Sequence, residues 1–345
     1  MTRLVIALSL FVFLGVGCTT LNPSLSTEGT TNVSSTGEPP TLQKTIYTSF
    51  VINVHDFSQP EKSIATLHHL IDLHEAYDMP VDMYLTDAMV QIYEEDAPEL
   101  IERLKTSPQV AVSYHLRPPT PYYSDFHEEW FAGLTGEALE EALYEYETHR
   151  VDLVTGKTTE EAGGYQHLKD VMGYAPYVVT QSAGPGDITK ALANIYKEMG
   201  ARFTLRHKVT SAFGEMTNGL YLRPEDVEVK VYNPSGVIDA GNMLTYHLEG
   251  VTQRPAFVNL KWHDNNFFSS GTNWAGIYYA PDAKGTDPLN SPYDLSLWTT
   301  SEANKSAADE KQQWDRYEAM LDYVKNHPEL YTAVNSKDVL NLLEQ

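Results

Sequence analysis

The chain has 345 residues, of which 42% are hydrophobic and 21% charged, and its formal net charge is −23. That size and balance fit one large domain or two small ones, with room for a sizeable core. So large an acidic excess excludes nucleic acid as a partner, because phosphate recognition needs a surplus of Lys and Arg.

Met1 to Arg3 is a short basic start. The apolar run from Leu4 to Gly17 is too short for a stable transmembrane helix. It ends in small residues directly before Cys18, the one cysteine of the chain, so no internal disulfide can form. Residues 1–17 resemble a bacterial lipoprotein signal peptide, although Leu14 stands four residues before the cysteine rather than the usual three. The resemblance implies that Cys18 is lipidated and becomes the new N-terminus. Thr19, in place of an aspartate, implies the bacterial outer membrane, facing the periplasm or the surface. Residues 18–43 are rich in Ser, Thr, Gly and Pro and read as a flexible tether. The folded domain is expected over residues 44–345.

Within it, Ile46 to Val54 is an apolar, β-branched run ending in His55-Asp56. A helix starting near Pro60 follows, with Ile64, Leu67, Ile71 and His74 at helical spacing. Met79 to Thr86 is a second strand. Asp87 is placed to cap the next helix, Pro98 to open another, and Gln109 to Tyr114 is a third strand ending in His115. Two β-then-α units in sequence predict a parallel sheet with crossover helices. Arg117-Pro-Pro-Thr-Pro-Tyr-Tyr123 is a stiff aromatic loop. Glu137 to Arg150 reads as helix, Tyr177 to Thr180 as a short strand, Asp187 to Met199 as helix, and Ala201 to Arg206 as strand. Val209 to Val251 reads as an inserted hairpin or a substrate-side subdomain. Phe257 to Trp262 is the last strong strand, ending in His263-Asp264. After a long polar loop, Ala303 to Asn326 and Ser336 to Leu343 read as helices, the second with Ser336 as cap.

Three strand ends thus deliver His55-Asp56, His115 and His263-Asp264, and α/β proteins place their sites at the carboxyl ends of strands. A carboxylate with two neutral imidazoles suits a divalent metal, zinc or a similar ion, with positions left for water and substrate. Adjacent strand residues point to opposite faces, so a His-Asp pair faces one site only where the strand has ended. Arg117 can grip a carboxylate or sulfate, or form a loop salt bridge. Tyr122, Trp262 and Trp274 can stack on sugar rings or pack in the core.

At these residues the chain resembles the polysaccharide deacetylase superfamily. Val54-His55-Asp56 stands where that family has Asp-Asp, His115 where it has a metal-binding histidine, and Leu260-Lys-Trp-His263-Asp264 matches its late histidine motif. The resemblance spans roughly Thr45 to Leu343. It implies an α/β fold, a distorted (β/α) barrel with long inserted loops. It further implies a metal-dependent hydrolase that deacetylates a carbohydrate. Asp56 and His115 would hold the metal, His55 would be base or third ligand, and His263 with Asp264 acid or orienter. Arg117, Tyr122, Trp262 and Trp274 would meet the substrate. Two departures stand out. Pro119 occupies the place of a second histidine ligand, and His55 replaces the usual aspartate base. The alternatives are a carbohydrate-binding lipoprotein without catalysis on the same fold, or a metal-free glycoside hydrolase using two carboxylates.

Overall fold

The computed structural model describes residues 46–206, 210–230, 239–249, 251, 255–271, 274–280, 286–297 and 304–345. The expected signal peptide, Cys18 and the tether lie outside them. The mixed α/β class with a mainly parallel sheet agrees with the sequence reading. Strands β1 (Ile46–Val54), β2 (Val81–Leu85) and β3 (Val110–Tyr114) alternate with helices α1 (Pro60–Tyr77), α2 (Asp87–Asp96) and α3 (Pro98–Thr106). All three strands pair in parallel, Phe50 opposite Val81 and Val81 opposite Val110. Thr86, rather than Asp87, is the N-cap of α2, its side chain accepting from the Met89 N–H.

Helix α4 (Glu137–Thr148), a two-stranded hairpin of β4 (His149–Val151) and β5 (Thr158–Ala162), and helix α5 (Gly164–Met172) follow. The entry to α5 is tight. Gly164 has φ +65°, and a Cβ there would stand 2.5 Å from the Glu147 backbone. That closeness lets the Tyr165 N–H donate to the buried Glu147 carboxylate at 3.2 Å.

Strands β6 (Val178–Val179), β7 (Phe203–Thr204), β8 (Met216–Thr217) and β9 (Leu220–Leu222) form a second sheet in the order β6-β7-β9-β8, with helix α6 (Asp187–Met199) between β6 and β7 in the chain. The chain then runs through Arg223 into β10 (Val227–Lys230), helix α7 (Ala240–Leu248) and β11 (Ala256–His263), which pairs in parallel with β10 and β1. Among the described residues no single ladder closes a barrel. The two sheets are nevertheless joined beside β3, where Tyr177 N–H donates to Val112 O at 3.1 Å. A short helix α8 (Ala275–Tyr278), the long helix α9 (Ala307–Asn326), β12 (Tyr331–Ala333) and helix α10 (Ser336–Leu343) complete the fold.

Strand alternation sorts the side chains into two cores. Phe50, Ile52, Val54, Met83, Val112, Leu260 and Trp262 join the helix-facing core. Val51, Tyr84, Val178, Phe203 and Phe257 form a separate inner cluster with Val339 of α10. Helix α10 therefore plugs the lower end of the strand ring. Its cap is Asn335, which forms a reciprocal box with Asp338. Ser336, expected as the cap, instead reaches the buried Arg223–Asp82 pair: Arg223 Nε donates to Ser336 Oγ at 3.0 Å, and Ser336 N–H donates to Asp82 Oδ1 at 2.8 Å. Arg223 also holds Ser49 Oγ at 2.7 Å and Asp82 Oδ2 at 3.1 Å. With this layer sealing the bottom, ligands have the carboxyl ends of the strands as their way in. His74 is structural, fully buried, its ring donating from Nδ1 to Met79 O at 2.8 Å.

Candidate active site at the strand ends

The three predicted strand ends converge. The His55 ring centroid lies 5.0 Å from that of His263 and 6.2 Å from that of His115. The aspartates do not join them. The inward-outward alternation continues past the end of β1, so His55 turns into the ring of strands and Asp56 turns out. Asp56 Oδ1 accepts from the backbone and hydroxyl of Ser58. Asp264 is fully buried and accepts from Ser63 Oγ at 2.6 Å and from the His55 backbone N–H at 3.4 Å. Burial, with the Asp56 charge beside it, pushes the Asp264 carboxyl up to about 7. The two carboxyl groups stand near each other behind the histidines, and Asp264 props the backbone of His55. Both were expected in the site, Asp56 as a metal ligand and Asp264 as acid or orienter.

The hydrogen bonds fix the tautomers. Trp274 Nε1–H donates to His55 Nδ1 at 2.9 Å. An indole nitrogen only donates, so Nδ1 carries the lone pair and Nε2 carries the proton. Burial first, then the Arg117 charge, holds the His55 pKa well below the ordinary histidine value, so the ring is neutral. Its Nε2–H is buried and has no hydrogen-bond partner among the described residues. Two groups compete for His115 Nδ1: Leu116 O, which only accepts, at 2.6 Å, and Arg117 Nη1, which only donates, at 3.2 Å. The shorter contact puts the proton on Nδ1 and the lone pair on Nε2, the tautomer opposite to that of His55. The His263 ring accepts from the Asn266 backbone N–H, and the His263 backbone N–H donates to Asn266 Oδ1 at 2.7 Å. Burial, then Arg117 and Lys261, pull its pKa down to about 3.

Arg117 leans over the rings of Tyr123 and Trp274, 5.2 and 5.6 Å from their centroids, and donates to Tyr123 Oη at 3.0 Å. Its Nε–H is buried without a hydrogen-bond partner. His55, His115 and Arg117 line one cavity of about 40 Å³. His115 also lines a second cavity of about 30 Å³ with Arg206, Glu225, Glu228, Asn259 and Lys261.

Three substrate expectations change. Trp262 is fully buried on the helix-facing side, stacked on Phe50 and edge-on to Tyr317. It is one residue before His263, and parity sends it outward. Tyr122 is a core residue that donates to Glu147 Oε1 at 2.7 Å. Trp274 belongs to the site as a wall against His55 and Arg117, and at 7% exposure it offers no open platform to a sugar.

The residues do not fit the expected metal. Among the described residues no three His, Cys, Asp or Glu side chains are grouped to hold one. A neutral imidazole that ligates a metal through one nitrogen donates from the other, whereas His55 accepts at Nδ1. Asp56 faces away.

No protein-family model matches the chain, and no curated protein does. Solved structures of similar arrangement include the 4-alpha-glucanotransferase from Thermococcus litoralis, at 12% identity and TM-score 0.45 over 86% of this chain and 40% of that one. The chain thus spans less than half the length of that enzyme. A Mycobacterium smegmatis protein assigned to the polysaccharide deacetylases is similar at 10% identity and TM-score 0.48, over 89% and 93% of the two chains. The polysaccharide deacetylase of Bacillus cereus is similar at 12% identity and TM-score 0.37, over 84% and 90%.

Proposed function

We propose that the chain is a hydrolase that removes acyl groups, of the acetyl ester or amide type, from a carbohydrate. The observation that carries this reading is a pair of buried, unpartnered N–H donors, His55 Nε2 and Arg117 Nε, on two residues that line one cavity with His115. Preorganised donors of this kind stabilise the negative charge that develops on an acyl oxygen. A neutral imidazole held in one tautomer can serve as such a donor. His115 supplies the lone pair on Nε2. It takes a proton from water as the water oxygen bonds to the acyl carbon. It returns that proton to the departing sugar oxygen or nitrogen as the acyl bond breaks. The roles differ from those implied by the sequence motifs: His115 is the base, and His55 is the oxyanion donor. No step in this scheme passes through a metal.

The test is release of acetate from acetylated gluco-, manno- and xylo-oligosaccharides and from chitin oligosaccharides. Acetate release that is lost in His115→Ala supports the reading, and absence of release from every acetylated glycan overturns it.

We also infer that the enzyme is tethered to the outer membrane through a lipid on Cys18. Labelled palmitate incorporated into the native chain but not into Cys18→Ser supports this, and equal labelling of the two refutes it.

A further inference from the structure

The second cavity lies within the ring of strands, on the other side of His115 from the acyl cavity. Its charged walls balance, with Glu225 and Glu228 against Arg206 and Lys261. An anionic ligand would meet two carboxylates there, and a cationic one would meet two cations, so the site suits a neutral ligand. Asn259 adds a second, independent sign. It is 5% exposed, and its Nδ2 donates to Glu225 Oε2 at 2.7 Å, while its Oδ1 is buried with no hydrogen-bond partner among the described residues. A buried acceptor left in this state calls for a donor. On the other side, Lys261 Nζ spends one bond on Glu228 at 3.3 Å and has further hydrogens to donate. A group that both donates and accepts completes the set, and a hydroxyl does both. The volume of about 30 Å³ has room for about two waters or one short arm, and is too small for a sugar ring. An N-acetyl methyl would desolvate the charges without replacing their hydrogen bonds.

We propose that this cavity is a specificity pocket for the hydroxymethyl arm of a neutral hexose unit, the hydroxyl donating to Asn259 Oδ1 and accepting from Lys261. This deepens the carbohydrate reading and rests on it for the class of ligand. The substrate would then straddle His115, with its acyl group in one cavity and its primary alcohol in the other. Pentose units lack that arm, and uronic acids replace it with a carboxylate that Glu225 and Glu228 repel.

The test is calorimetric binding of cellohexaose, mannohexaose and xylohexaose to the native protein. Binding needs no turnover, so a failure of the acyl-hydrolase reading leaves this experiment readable. At least one hexose oligomer is expected to bind roughly tenfold tighter than xylohexaose, the effect of one hydrogen bond to a buried orphan group. Asn259→Leu, of similar shape but without the acceptor, is expected to erase that preference. Equal affinity for all three, binding of none, or a preference that survives in Asn259→Leu overturns the proposal. If the variant does not fold, the native comparison decides alone.

Discussion

Asp264→Asn isolates the buried carboxylate pair that stands behind His55. Asp264 is fully buried, accepts from Ser63 Oγ at 2.6 Å, and has a carboxyl raised to about 7 by burial first and by the Asp56 charge second. In the unfolded chain it titrates near 3.9. Between those values the folded state keeps a proton that the unfolded state has lost, so stability falls as pH rises. The contribution is fully present below about pH 4 and is lost by the time pH passes about 7. With each pKa unit equal to 1.36 kcal/mol, the loss is on the order of 4 kcal/mol. Asparagine has the shape of the protonated acid and does not ionise. Urea unfolding of both proteins at pH 4, 6 and 8 should therefore show a gap that opens in favour of Asp264→Asn as pH rises. Parallel stability curves across that range would refute the reasoning, because they would mean that Asp264 ionises as readily in the fold as in water.

Three further outcomes follow from the same geometry. His55→Phe removes the oxyanion donor while filling the space, and kcat for deacylation should fall by about 10²–10³. His55→Gln, which keeps an N–H, should lose less, and equal losses would count against the donor role. Glu147→Ala strips the acceptor from the Tyr122 and Tyr196 hydroxyls, each 2.7 Å away, and from the Tyr165 N–H. It should lower the unfolding free energy by about 3–5 kcal/mol, and a change under about 1 kcal/mol would contradict the packing described. Because no three His, Cys, Asp or Glu side chains among the described residues are grouped to hold a metal, exhaustive dialysis against a chelator should leave acetate release unchanged. Loss that is restored by added zinc would return Asp56 and His115 to the roles first expected of them.

The strand ends were legible because each apolar run stops at a histidine, and a helix or a proline loop follows at once. The partition of each His-Asp pair was less so. Parity along β1 and β11 places Asn53, His55, Asn259, Lys261 and His263 inward, and Val54, Asp56, Leu260 and Trp262 outward. The same rule, carried one residue further, separates Trp262 from the site. The second cavity was missed, although Asn53 and Asn259 were visible as polar breaks two and four residues before the histidines of otherwise apolar strands. Glu225 and Glu228 lay in a stretch that reads as an inserted hairpin, because β9 and β10 are too short to show alternation. Trp274 was singled out as a sugar platform. That its indole would instead set the tautomer of His55, across 219 positions of sequence, is a tertiary contact that no local pattern encodes.

That contact is also where the account is most exposed. Long-range ¹H–¹⁵N correlation spectra of histidine-labelled protein report which ring nitrogen carries the proton. His55 is expected as the neutral Nε2–H tautomer at pH 6.5 and above, with Nδ1 accepting a hydrogen bond, and His115 as the opposite Nδ1–H tautomer. A His55 ring protonated at pH 6.5, or carrying its proton on Nδ1, would remove the oxyanion donor and contradict the proposed chemistry.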